Sequence, residues 1–278
     1  MALVQTLNEI VLQVHHTLDK WRVLESDTDI WFRGADKASH SLVPRVYRLD
    51  CSHMDQDNLL YRFQVHGASL IHQRPDPWEW YFIAQHYGLP TRLLDWTDNL
   101  YIAVHFALAP YLEDLPLETV VKKARSTRSS MGDPRNPPVV WMIDAGHLNK
   151  TTAGIEATLV PGGLRTDLWK PESVSRGRPR TGTIRGRRIS NRPPIALLPP
   201  RTTQRIIAQQ GVFTIHGAGD KALQQYYGNK HHHRLRRIRI STDHLYSIWR
   251  DLQLCGVHRF SVFPDLPNLA RHVQLCHS

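Results

Sequence analysis

The run from Trp78 to Leu112, WEWYFIAQHYGLPTRLLDWTDNLYIAVHFALAPYL, constrains this chain more than any other part of it. It is dense in aromatic and aliphatic side chains, which leave water only by joining a core. A Gly88–Pro90 stop divides it. The pattern reads as a helix to Tyr87, a loop through Trp96 and a second apolar helix from about Asn99 to Leu108. Nowhere in the 278 residues do eighteen apolar positions run without a charge, so no membrane span is expected. Composition is that of a globular chain, with 41% hydrophobic and 22% charged residues.

Around that run the pattern alternates between helix and strand. Leu3, Leu7, Val11, Val14, Leu18 and Trp21 recur at helical spacing within residues 1–26, which lack a basic leader and carry Glu9 and Asp19. An N-terminal amphipathic helix and a cytoplasmic protein follow. Ile30–Phe32 predicts a short strand ending at Arg33-Gly34, and a polar loop with Leu42, Pro44, Arg45 and Tyr47 comes next. Gln56–Gln73 predicts a helix closed by Arg74-Pro75. Val121–Pro138 reads as a loop, Val139–Asp144 as a central strand and Gly177–Pro200 as irregular chain. A helical turn from Arg205, a break at Gly211 and a strand at Val212–Ile215 follow. Leu235–Ile240 alternates as an edge strand does, and Asp243–Leu254 is a helix capped by Ser241 or Thr242. Together these give one mixed α+β domain over 1–278 with a basic insertion at 173–204.

Cys51, Cys255 and Cys276 are odd in number and far apart, which points to buried free thiols rather than disulfides or a zinc site. His231–His233 are consecutive, so their side chains diverge and a solvated or phosphate-contacting run is a better reading than a metal site. Formal net charge is +10. From Ser173 to Gly219 there is no Asp, Glu or Lys, while Arg176, Arg178, Arg180, Arg185, Arg187, Arg188, Arg192, Arg201 and Arg205 are all present. Guanidinium groups bind phosphate bidentately and stack on bases, so the first six are candidate nucleic-acid contacts. A solvated loop is the alternative.

WFRG at Trp31–Gly34, AQHYGLPTRLLDWT at Ala84–Thr97 with AVHFAL after it, AQQGVFT at Ala208–Thr214 and FPDL at Phe263–Leu266 together resemble the FRG-domain family. That resemblance implies a bacterial toxin or phage-defence effector, with an antitoxin as a possible partner. More distantly, an aromatic-Arg-Gly at an early strand end is similar to the first motif of ADP-ribosyltransferases. This second likeness implies a split sheet with flanking helices, NAD as a substrate, and Arg33 on its phosphates or ribose with Gly34 letting the ligand approach. Those enzymes usually place a glutamate late in the chain. Here Gln209 and Gln210 stand there, so Gln210 is expected to hold a ribose hydroxyl while Asp95 or His86 supplies charge or acid–base chemistry.

The remaining expectations concern the loop itself. Tyr87 or Trp96 would pack the nicotinamide, and Arg92 and Thr97 would complete the NAD site. Asp95 pairing Arg92 as a plain brace is the structural alternative. At the level of function, a non-catalytic nucleotide- or nucleic-acid-binding module and a nuclease or hydrolase built on Asp95 and His86 remain the rivals.

Overall fold

A computed structural model describes residues 3–23, 29–48, 53–71, 74–126, 130–163, 166, 169, 183–184, 187–188, 193–217, 221–226 and 234–276. The Thr6 hydroxyl accepts the Glu9 N–H at 3.1 Å and so starts α1 (Leu7–Trp21). Its buried seam is Leu7, Ile10, Val14, Leu18 and Trp21. Then come β1 (Ile30–Ala35), α2 (His53–Gly67) and α3 (Pro77–His86). Asp76 and Glu79 close a reciprocal capping box on α3, with Pro77 in its first turn. Gly88, at φ 83, lies just beyond its end.

Leu93–Thr97 is a strand, β2, rather than the expected loop. Five residues flanked by Pro90 and Asp98 are too few for periodicity to declare itself, and burial comes from the neighbouring strands. Asn99 then caps α4 (Leu100–Leu112) by accepting the Tyr101 and Ile102 N–H groups. The chain continues with α5 (Leu117–Ala124), β3 (Val139–Asp144), α6 (Ala145–Ala153), a ribbon of β4 (Thr183–Ile184) and β5 (Arg187–Arg188), β6 (Ile195–Leu197), α7 (Gln204–Ala208), β7 (Gly211–Ile215), β8 (Leu235–Arg239), α8 (Leu245–Leu254), α9 (Arg259–Val262) and α10 (Leu266–Cys276). Strands β4, β5 and β6 fall within Gly177–Pro200, where irregular chain was expected, and α5 runs into the loop expected from Val121. Val120 is driven into the core by α5, and Ile195–Leu197 are buried against β7. At α8 the N-cap is His244, without a side-chain cap, in place of Ser241 or Thr242. Cys255 and Cys276 are exposed rather than buried, and Cys51 lies outside the described residues.

Six strands form one antiparallel sheet in the order β6-β7-β2-β1-β3-β8. The expectation of an α+β fold holds in this form. Strand alternation deals the side chains of β1 to two sides. Phe32 joins a core with α1, α4 and α8, whereas Trp31 joins Leu94, Trp96, Trp141 and Leu148 of α6. A third cluster at the β6-β7 end gathers Trp78, Phe82, Leu93, Trp169 and Phe213. Each fully buried aliphatic or aromatic side chain contributes roughly 1.5–3 kcal/mol.

Gly34 shares the α4 side with Phe32. A Cβ at that position would stand 2.0 Å from the Ala103 carbonyl oxygen and 2.5 Å from the Ala107 nitrogen. The glycine is therefore required by the close passage of α4 over β1, and it also lines the cavity described below.

Candidate active site

Between β1 and β2 the register pair is Phe32 opposite Thr97, while β1 pairs with β3 along its whole length. Asp95 is matched to Phe213 of β7 on its other side. Toward β1 its backbone carbonyl accepts a short hydrogen bond from Arg33 Nη1 instead. A side chain thus stands where the sheet has no ladder bond, and a cavity of about 490 Å³ opens at this place.

Arg33, Arg45, Arg48 and Arg205 line the cavity, set against two acids, Asp36 and Asp95. Arg33 is held within it, its side chain 22% exposed, with Nη1 3.8 Å from Asp95 Oδ2. Burial lowers the Arg33 pKa, opposed by Asp95 and assisted by the neighbouring positive charge of Arg48. Asp36 is engaged by His40 Nδ1 at 3.0 Å. Asp95 is the open carboxylate, with its side chain 58% exposed.

Hydrogen bonding orients that carboxylate without ambiguity. Thr91 Oγ1 accepts the Leu93 N–H at 3.0 Å, so its own proton goes to Gln85 Oε1 at 2.6 Å. The Gln85 amide is thereby turned with Nε2 toward Asp95 Oδ1, at 2.8 Å. Asp95 accepts there.

Other sequence candidates are distributed differently. Trp96 and Thr97 line the cavity but are buried, with Trp96 Nε1 donating to Thr214 Oγ1 and Thr97 Oγ1 donating to the Gln209 carbonyl. Arg92 is only 4% exposed. Its guanidinium donates to the His216 carbonyl at 2.7 Å and the Trp169 carbonyl at 3.0 Å and lies over the Tyr81 ring. It neither lines the cavity nor braces Asp95, which pairs with Arg33 in its place. Gln209 reaches the cavity, whereas Gln210 takes a left-handed turn, φ 46, between α7 and β7. His86 and Tyr87 line a separate cavity, so His86 and Asp95 do not meet as an acid–base pair.

Arg48 and Gln85 were not singled out in the sequence, and Arg205 was noted only as one of nine arginines in the acid-free stretch. Thr91 stood with His86, Arg92, Asp95 and Thr97 as a candidate of the polar loop, and Arg45 stood in a polar loop of its own, but nothing in their spacing tied them to Arg33. Arg176, Arg178, Arg180 and Arg185 lie outside the described residues, as do the side chains of Arg187 and Arg188 and the run His231–His233.

Residues 28–114 match the family model of the FRG domain. The chain carries an FRG domain. The match takes in WFRG and AQHYGLPTRLLDWT, and with them Arg33, Gln85, Thr91 and Asp95. AQQGVFT and FPDL lie beyond it in sequence, yet β7, which includes part of AQQGVFT, is the strand that pairs with β2 of the FRG domain. No curated protein and no solved structure matches the chain. Among the described residues, no helix is long and apolar enough to cross a membrane.

Proposed function

We propose that the cavity of the FRG domain binds the diphosphate of NAD and that the protein transfers ADP-ribose from it to a nucleic acid, as a toxin or defence effector would. The observation that supports this most is one open carboxylate, Asp95, set among four arginines in a single cavity. Guanidinium groups match phosphate oxygens, and each such charge-assisted bond is worth roughly 1.5–3 kcal/mol. In the reaction the bond from ribose C1′ to the nicotinamide nitrogen breaks and its electron pair leaves with neutral nicotinamide. Positive charge develops at C1′ and the ring oxygen, and the fixed negative charge of Asp95 stabilises it. The acceptor then attacks C1′, forming the new glycosidic bond, and its proton passes to water. Gln209, which lines the cavity, is the amide suited to a ribose hydroxyl, in place of Gln210.

A second reading, a nucleotide-binding module without turnover, is favoured by the existing contacts of Asp95 with Gln85 and Arg33. Incubation with NAD labelled in its adenylate phosphate, together with separate pools of RNA, DNA and protein, separates the two. Label in a nucleic acid with release of free nicotinamide, both lost in Asp95→Asn while NAD still binds, is the expected result. Binding without release would favour the module, and absence of NAD binding would sink both.

A further inference from the structure

Beside the arginine-lined cavity lies a second one of about 370 Å³, walled by α3, by Leu70-Ile71 and by Pro200–Ile206. We infer that it seats a nucleobase of single-stranded nucleic acid, which rests on the reading of nucleic acid as the acceptor. Phe82, Ile83 and Ile206 supply apolar lining, and Tyr87, 74% exposed, offers a ring face that the fold leaves to solvent. Bases stack on such rings whatever their identity. His86 sets its imidazole edge-on to Tyr87, with centroids 4.8 Å apart. Burial, and then the charge of Arg205, lower its pKa, so at neutral pH the ring is uncharged. It then has one donor and one acceptor nitrogen for a base edge.

Charge points to the same occupant. The wall Pro200–Ile206 belongs to the acid-free stretch Ser173–Gly219, whose excess of arginine favours a polyanion. Glu79, the acid among the lining residues, is turned to the Asp76 N–H at 2.7 Å. Arg205 joins the two cavities. It lines the first and donates from Nη1 to the His86 carbonyl at 3.3 Å, while Ile206 lines the second. A base seated here would bring its own sugar and phosphate, or an exocyclic group, beside the proposed ADP-ribose donor.

The test uses the full chain and a short single-stranded DNA carrying one fluorescent aminopurine, with ADP-ribose titrated in parallel. Quenching of the aminopurine on binding is expected. Tyr87→Ala should abolish the quench and weaken the strand about tenfold. Tyr87→Phe should restore both, Ile83→Trp should occlude the seat, and ADP-ribose affinity should stay unchanged in Tyr87→Ala. An abasic strand that binds as well as the parent strand, or an unaltered quench in Tyr87→Ala, would overturn the proposal. So would a fall in ADP-ribose affinity in that variant, which would give the ring to the nucleotide. Quenching that survives while the parent protein fails to bind ADP-ribose would leave the base seat standing and remove the reading of the first cavity.

Discussion

Two arginines of the FRG domain, Arg92 and Arg33, occupy regions built on opposite terms. Around Arg92 the setting is almost wholly dry, and its guanidinium meets two backbone carbonyls and the Tyr81 ring. Around Arg33 the guanidinium meets one carbonyl and one carboxylate and faces a cavity that holds three more arginines. Gathering like charges costs free energy in the absence of a counter-charge, while a buried guanidinium that bonds the His216 and Trp169 carbonyls joins distant segments of the chain. The first arrangement serves the fold, and the second is the one that the proposed function gives to an anion.

That contrast can be broken by substitution. The largest loss of stability is expected for Arg92→Met, which leaves the His216 and Trp169 carbonyls buried without their donors. Roughly 3–5 kcal/mol should disappear in urea unfolding, and a loss under about 1 kcal/mol would mean that water replaces the guanidinium. Gly34→Ala should follow at roughly 1–3 kcal/mol, because the new methyl meets backbone of α4 rather than a yielding side chain. If thermal unfolding of that variant matches the parent while ADP-ribose binding is lost, the glycine belongs to the ligand after all.

His216 sharpens the comparison through pH. Burial, followed by the nearby charge of Arg92, lowers its pKa to about 3. Between its ordinary value of 6.5 and about 3 the unfolded chain takes up a proton that the folded one refuses, so stability falls as pH drops through that window. The slope from this residue is at most about 1.4 kcal/mol per pH unit. His86 and His258 are shifted the same way by burial and add to it. Unfolding followed from pH 7 to pH 4 should show His216→Leu with a shallower fall than the parent, and equal slopes would place the protonation elsewhere. The smallest change in stability is expected for Arg33→Ala, under about 1 kcal/mol, since the bond it loses borders an open cavity.

Much of this contrast was legible in the sequence, though not where it mattered most. Arg33 could be singled out because an aromatic, an arginine and a glycine stand together at a strand, and Asp95 because it interrupts an apolar run. Arg92 looked equally chemical. Its neighbours are Trp169 and His216, far off in sequence, and no local pattern encodes a bond to a distant carbonyl. Gly34 was visible, but only the packing of α4 reveals the Ala103 oxygen behind it. The helices with clear seams or caps, α1, α3 and α4, were all legible, α3 almost at its observed limits, whereas α1 is shorter than the expected 1–26 and α4 runs on to Leu112. Short strands such as β2 and β6 did not, because their burial is imposed by β7 between them.

Calorimetric titration of ADP-ribose into the parent protein, Arg33→Ala and Arg33→Lys tests the central claim most directly, with unfolding temperatures taken on the same samples. A nucleotide-diphosphate site at Arg33 requires binding by the parent, affinity weakened roughly ten- to a hundredfold in Arg33→Ala, partial recovery with Lys and little change in unfolding temperature. Equal affinity in all three proteins, or no binding by the folded parent, would contradict it.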